Sequence, residues 1–212
     1  MHRRTPLASG ALALAVAFAC SGVASAAGGG VGAGGGDGAN DSAYRDLGFG
    51  ARTLEIGMRG DDVKTLNWIL KSQPFGGKVP YKGSFVSSTK GAVQRLQGDA
   101  GISTNGVVGR KTRKAIAGEM SGGNATWYGP GFYGHRTACG QTLTKATIGV
   151  AHKRLPCGTP VTFAYRGHWV RAKVIDRGPY NAGYSWDLSG KLAKQLGFLS
   201  TGAGRVKAAV VR

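Results

Sequence analysis

The sequence predicts a multi-domain chain: a small three-helix α domain, followed by a small closed β-barrel that carries one short helix. Two changes of texture along the 212 residues lead to this. From Leu54 onward, apolar residues recur at helical spacing in three short segments separated by glycine turns. After Gly122-Gly123 the period shortens to two, in several short runs bounded by turn residues, which is the pattern of a small all-β unit.

The first helix is read in LEIGMRGDDVKTLNWILKS, where Asp61 or Asp62 opens it and Val63, Leu66 and Leu70 share a face. The second lies in SSTKGAVQRLQGDAGI, with Val93 and Leu96 placed alike, and the third in GVVGRKTRKAIAGEM through Ala115 and Ile116. Together these span about 65 residues, close to the lower limit for an independent core. Among the strands, HWVRAKVI (168–175) alternates most clearly. Val170, Ala172 and Val174 fall on one face, with Arg171 and Lys173 on the other. VTFAY (161–165) and RVKAAVV (205–211) behave in the same way. Between them, Ser189 is placed to cap a helix carrying Leu192 and Leu196 and closed by Gly197.

Ahead of both modules, residues 1–26 have the form of a secretory signal. Arg3 and Arg4 precede an apolar core from Leu12 to Phe18, which ends at Ala24-Ser25-Ala26. That core is too short to span a bilayer, so no stable membrane insertion is expected. Cys20 leaves a lipid anchor as the alternative to simple secretion. Residues 27–50, with GGGVGAGGGDGAN at 28–40, read as a flexible glycine-rich linker. Their glycines fall at dinucleotide-binding spacing, but no strand precedes them and no apolar helix follows. The expected boundaries are then a helical domain at 51–119, a short linker at 120–124 and the barrel at 125–212.

The formal charge of +18 points to an anionic partner. Export argues against nucleic acid and for an extracellular polymer of the cell envelope. Cys139 and Cys157 are the only cysteines beyond the leader, and an even pair in an exported chain reads as one disulfide. No cluster of metal-ligand spacing is present, so neither a metal nor a cofactor is expected.

From Ser121 to Arg212 the chain holds thirteen lysines and arginines but just two acidic side chains, Asp176 and Asp187. They lie in VIDRGPYNAGYSWDLSG, beside aromatic residues. At this level they remain a catalytic pair, one acid with a structural companion, or two ion-pair partners.

Two resemblances narrow the choice. Leu54, Gly57, Gly60, Asp62-Val63 and Leu66, then Gly83-Ser84-Phe85, Thr89, Ala92-Val93 and Gly106-Val107-Val108-Gly109 resemble the peptidoglycan-binding-like domain of bacterial wall hydrolases. Leu96-Gln97 departs from that family, which commonly has Phe-Gln there. The resemblance implies binding to peptidoglycan stem peptides, without chemistry. In the second module, Trp127-Tyr128-Gly129, Thr137-Ala138, Ala151-His152, Leu155-Pro156, Asp176-Arg177-Gly178-Pro179 and Asp187-Leu188 resemble, in order, the rare lipoprotein A family. These are six-stranded double-psi β-barrels related to expansins and barwin.

That second resemblance implies a lytic transglycosylase acting on glycan strands. Such an enzyme forms a 1,6-anhydro end instead of adding water, so one carboxyl group suffices to give and then retake a proton. It implies a groove around Asp176 and His152 as the catalytic residues. Gln141, Tyr128, Trp127, Arg177, Tyr180 and Asp187 are expected to contact substrate. Asp187 also reads as the acidic complement of the helix starting near Ser189. Trp127, Tyr128, Tyr133, Tyr180 and Trp186 supply candidates for a sugar-stacking floor. Gln141 stands where the family has glutamate, and an amide cannot cycle a proton. That leaves Asp176 as sole acid, assisted by His152, and keeps open a second reading: an expansin-like, non-catalytic wall binder. Either form is expected to work as a monomer.

Overall fold

The structure is a computed structural model, and it describes residues 48–211. The expected leader, its cleavage site, Cys20 and nearly all of the glycine-rich linker lie outside the described residues.

The three helices form where the apolar spacing places them: α1 at Asp61–Lys71, α2 at Ser87–Asp99 and α3 at Arg110–Glu119. Asp61 and Asp62 occupy the first turn of α1 and Lys71 the last, each complementing the helix dipole. The Asp62 carboxylate is only 1% exposed, and it is held by the Arg52 guanidinium at 2.7 Å and by the Val63 backbone N–H at 2.8 Å. Val63, Leu66 and Leu70 meet Val93 and Leu96 of α2, Ile116 of α3, and Leu54, Phe85 and Val108 from the connecting segments.

Two buried amides tie the turns to this core. Asn67 donates to the Lys82 and Ser84 carbonyls and accepts from the Thr89 hydroxyl. Gln97, half of the departing Leu96-Gln97 pair, donates to the Val107 carbonyl and accepts the Gly106 N–H at 2.8 Å. This position fixes the turn before α3.

The second module is a closed barrel of six strands: β1 (Ser121–Tyr128), β2 (Val150–Ala151), β3 (Pro160–Tyr165), β4 (His168–Asp176), β5 (Trp186–Ser189) and β6 (Gly204–Val210). Around the barrel their order is β1-β5-β2-β4-β3-β6. Two pairings are parallel, β1 with β5 and β2 with β4, and the rest are antiparallel, which makes a double-psi barrel. Closure removes every sheet edge. The short helix α4 (Gly190–Gln195) follows β5 directly. Ser189 caps it as the sequence suggests: its Oγ accepts from the Leu192 N–H and from the Gly149 N–H, and donates to the Thr147 carbonyl. Gly197 ends the helix at φ +69°, a left-handed conformation that suits glycine. Phe163, Leu188, Leu192, Leu196 and Phe198 fill the interior.

The join between the modules differs from expectation. Residues 121–124, read as linker, are the first half of β1 and pair in register with Ala208, Lys207, Val206 and Arg205 of β6. Their Ser-Gly-Gly-Asn composition carries no strand signal, because the pairing uses backbone alone. Gly122 has a specific reason to be glycine: the Arg205 guanidinium lies over it, and a Cβ there would sit 2.6 Å from that group.

Nor do the two cores stand apart. Met120, Ala164 of β3, Trp169 of β4 and Ala209 of β6 pack with the helical core, and Phe49 meets Trp169 edge to face at 5.0 Å. Arg171, expected on a solvent face, bonds Asp61 at 3.0 Å and Thr65 at 3.1 Å, and its guanidinium lies over the Trp68 ring. The helices therefore cap the outer face of β3, β4 and β6. Trp169→Ala is expected to lower stability by about 2–4 kcal/mol. Urea titration should show one transition for both modules, moved as a whole, rather than two transitions of which one moves.

Candidate functional site

Strand pairing alone brings the two acidic residues together. Ala151, at the end of β2, pairs with Asp176 of β4 on one side and with Asp187 of β5 on the other. On the far side of β5, Asp187 pairs with Thr126 of β1. Four adjacent strands thus contribute Thr126, Asp187, Ala151 and Asp176 in a row. With neighbouring strands about 4.8 Å apart, the two aspartate backbones lie about 10 Å from each other.

Both carboxylates line a cavity of about 610 Å³ whose wall also includes Thr126, Trp127, Tyr128, Phe132, Arg177 and Tyr180. Trp127 and Tyr128 come from the end of β1, while Arg177 and Tyr180 come from the turn that follows β4. Tyr180 is 84% exposed at the cavity mouth, so its ring is open to an extended ligand.

Asp176 and Asp187 sit in different surroundings. Oδ1 of Asp176 accepts two backbone N–H groups, from Ala138 and from Arg177, each at 2.8 Å. The Ala138 amide belongs to a turn pinned by the Cys139 N–H donating to the Ile175 carbonyl and by the Cys139–Cys157 disulfide. Arg177 spans the other side of that disulfide, donating to the Leu155 carbonyl at 3.1 Å and to Cys157 Sγ at 3.4 Å.

Asp187 accepts one hydrogen bond, from the Thr126 hydroxyl at 2.8 Å. Burial pushes its pKa up, the Thr126 bond partly opposes this, and the nearby Asp176 charge adds to the rise. Ser189 caps α4, and no acidic residue lies in that helix's first turn, so Asp187, two residues ahead of the cap, is bonded to Thr126 instead. The Tyr128 hydroxyl is buried close to both carboxylates and hydrogen-bonds toward Asp176. Burial, followed by the charges of Asp176 and Asp187, raises its pKa and keeps it protonated.

His152 and Gln141 do not line this cavity. Nδ1 of His152 accepts the N–H groups of Arg154 and Leu155, and the ring rests against Trp186 at 4.7 Å. Burial, then the charges of Arg177, Arg154 and Lys153, push its pKa down. The lowered pKa favours the neutral imidazole, and with Nδ1 accepting both amides its proton sits on Nε2, so the ring shapes the 152–155 turn. Gln141 is exposed, and its carbonyl accepts the Thr137 N–H at 2.8 Å. Of the proposed stacking rings, Trp186 is 6% exposed and belongs to the barrel core, against Phe163. Tyr133 wedges its hydroxyl against Gly129 and Gly190, where any Cβ would collide with it.

Sequence reasoning missed Thr126, Phe132 and the Ala138 amide. Thr126 shares a β1 face with Tyr128, a period-two signal hidden by the glycines before it. Among the described residues no group of His, Cys, Asp and Glu side chains is arranged to hold a metal ion.

Residues 120–208 match a family model described as lytic transglycolase, and residues 59–116 match that of a putative peptidoglycan binding domain. The chain is 41% identical over 95 residues to a probable endolytic peptidoglycan transglycosylase RlpA of Synechocystis sp., covering 44% of this chain and 30% of that one. It is 38% identical over 96 residues to the endolytic peptidoglycan transglycosylase RlpA of Campylobacter jejuni, covering 44% of this chain and 35% of the relative. The aligned part thus spans about a third of these relatives' length. Among solved structures, the apo expansin of Clavibacter michiganensis aligns at 24% identity with a TM-score of 0.37, over 44% of this chain and 50% of that one.

Proposed function

We propose that this chain, which carries a lytic transglycolase barrel at 120–208 and a putative peptidoglycan binding domain at 59–116, is an exported wall protein that cleaves peptidoglycan glycan strands with Asp187 as the acid. One observation supports this above the others: two carboxylates face one open cavity across Ala151, and burial raises the pKa of Asp187. A carboxyl whose pKa is raised beside a second carboxylate is the kind of group that general acid catalysis calls for.

In this reading a strand lies along the cavity with its sugar faces on Trp127, Phe132 and Tyr180. Asp187 gives its proton to the bridging oxygen as the bond from that oxygen to the anomeric carbon breaks. The Asp176 carboxylate, fixed by two backbone amides, faces the positive charge that develops on the sugar ring. The sugar's own 6-hydroxyl then closes on the anomeric carbon and returns a proton to Asp187. The Tyr128 hydroxyl donates to a substrate oxygen near the two acids. Asp176, expected from the sequence to be the acid, becomes the stabilising anion, and His152 supports the site through the turn it holds. Gln141 takes no part in this scheme, so the missing glutamate does not count against it. The helical domain adds wall affinity, including toward stem peptides, and no cofactor is required.

Digestion of purified sacculi followed by mass spectrometry tests this reading. Muropeptides with 1,6-anhydro ends, at levels well above a buffer control, are the expected products. Pelleting of the protein with sacculi and no such products would leave the expansin-like binder.

A further inference from the structure

A second and larger cavity, of about 1230 Å³, runs between the helical module and the barrel and shares no lining residue with the first. One wall is α3, with Arg110, Arg113 and Lys114. The other is the β3–β4 turn and β6, with Arg166, Arg205 and Lys207. Among the described residues, seven arginine and lysine side chains line it against one carboxylate, Asp61, and that carboxylate already bonds Arg171 at 3.0 Å.

Some of these cations are committed to the fold. Arg113 donates to the Arg52 and Val108 carbonyls, and Lys207 donates to the Ala117 carbonyl. Arg110, Lys114 and Arg205 are exposed and have no side-chain hydrogen bond or ion pair among the described residues. Gathering like charges on two facing walls costs stability unless an anion lies between them. Arg205 is even given a glycine, Gly122, to lie across. The floor is different in kind: Tyr165 and Trp169 line it, with Phe49 packed edge to face on Trp169.

We propose that this groove binds a phosphodiester-linked polyol or sugar polymer of the cell exterior, lying between α3 and the β6 wall. Three features select this ligand. The cations are mostly arginines, whose planar fork grips phosphate by two hydrogen bonds. They line both walls, and a phosphodiester within a polymer backbone can be reached from either flank of the chain, whereas a carboxylate pendant on a sugar ring extends to one side. The aromatic floor suits the carbon faces of the units between phosphates. The inference rests on this groove alone and stands or falls apart from the cleavage reading.

Fluorescence anisotropy with the full chain and a labelled poly(glycerol phosphate) oligomer tests it. The variant Arg110→Gln/Lys114→Gln/Arg205→Gln is expected to weaken binding about tenfold or more and to flatten the log–log salt dependence by about 2. Its glycan cleavage should match the parent's and its melting temperature should equal or exceed the parent's, because among the described residues the three side chains bond nothing in the fold and line no part of the barrel cavity. Unchanged affinity in the variant would overturn the proposal. So would parental binding to a polygalacturonate oligomer of equal charge as tight as to the phosphodiester.

Discussion

Replacing Asp187 by asparagine is expected to lower kcat by about 10²–10⁴ while leaving the melting temperature at neutral pH unchanged or higher. The two halves of this result come from one cause. Burial, the Thr126 bond and Asp176 together leave the Asp187 carboxyl titrating above the 3.8 of an ordinary aspartate. Between the unfolded and the folded pKa, the native state then binds more protons than the unfolded chain. Stability due to this group therefore falls as pH rises through that window, and the deficit persists at neutral pH. Asparagine removes the deficit and keeps an oxygen for the Thr126 hydroxyl, but it has no proton to give. The kcat of the parent should correspondingly fall as pH rises through the Asp187 pKa. A purely structural Asp187 would give the reverse pattern, a lower melting temperature with little change in kcat per folded molecule. Kinetics on purified glycan strands, paired with thermal melts, separate the two.

Removing the disulfide with Cys139→Ala/Cys157→Ala should have the second large effect, because it acts on stability and on the site together. The bond closes a separation of 18 residues, worth roughly 3 kcal/mol in loop entropy. It also clamps the turn whose Ala138 amide bonds Asp176 at 2.8 Å, and Arg177 reaches across to Cys157 from the other side. The double variant is expected to melt at a lower temperature. It should also show a reduced kcat under conditions where it remains fully folded, as judged by near-ultraviolet circular dichroism. Lost stability with an intact kcat would mean that the turn holds Asp176 without the covalent bond.

The parts of this molecule legible in sequence are those specified by side-chain periodicity. Val63, Leu66 and Leu70 lie on one face of α1 and are fully buried. On β4, Ala172 and Val174 point inward while Lys173 is exposed, as alternation requires. The parts that were not legible depend on pairing between distant segments. Ser121–Asn124 make a strand because β6 lies beside them, not because of their own side chains. Two residues suffice for β2 because it sits between β4 and β5. The docking of α1 on Arg171 and Trp169 was hidden because an arginine on an alternating strand normally faces water.

The site follows the same division. The resemblance named Asp176, Trp127, Tyr128, Arg177 and Tyr180, and all five meet at one cavity. The sequence could not divide the labour between the two acids. Asp187 lies two residues before the cap of α4, which suggests a helix partner, whereas its parallel pairing with Thr126, 61 residues away, is what buries it beside the cavity. The setting of His152 was hidden for a related reason. Its two ring partners are backbone amides of Arg154 and Leu155, and a turn of that kind leaves no trace in residue type.

Everything proposed for the barrel depends on an Asp187 carboxyl whose pKa is raised by burial and by Asp176 in the same cavity. The most direct measurement is an NMR titration of the Asp187 side-chain carboxyl carbon in the folded protein, with Asp187→Asn used to assign the signal. The midpoint is predicted to lie above 3.8, the value of an ordinary aspartate, and to fall when Asp176 is replaced by asparagine. A midpoint at or below 3.8, unmoved by Asp176→Asn, would contradict the account and remove Asp187 as the proton donor.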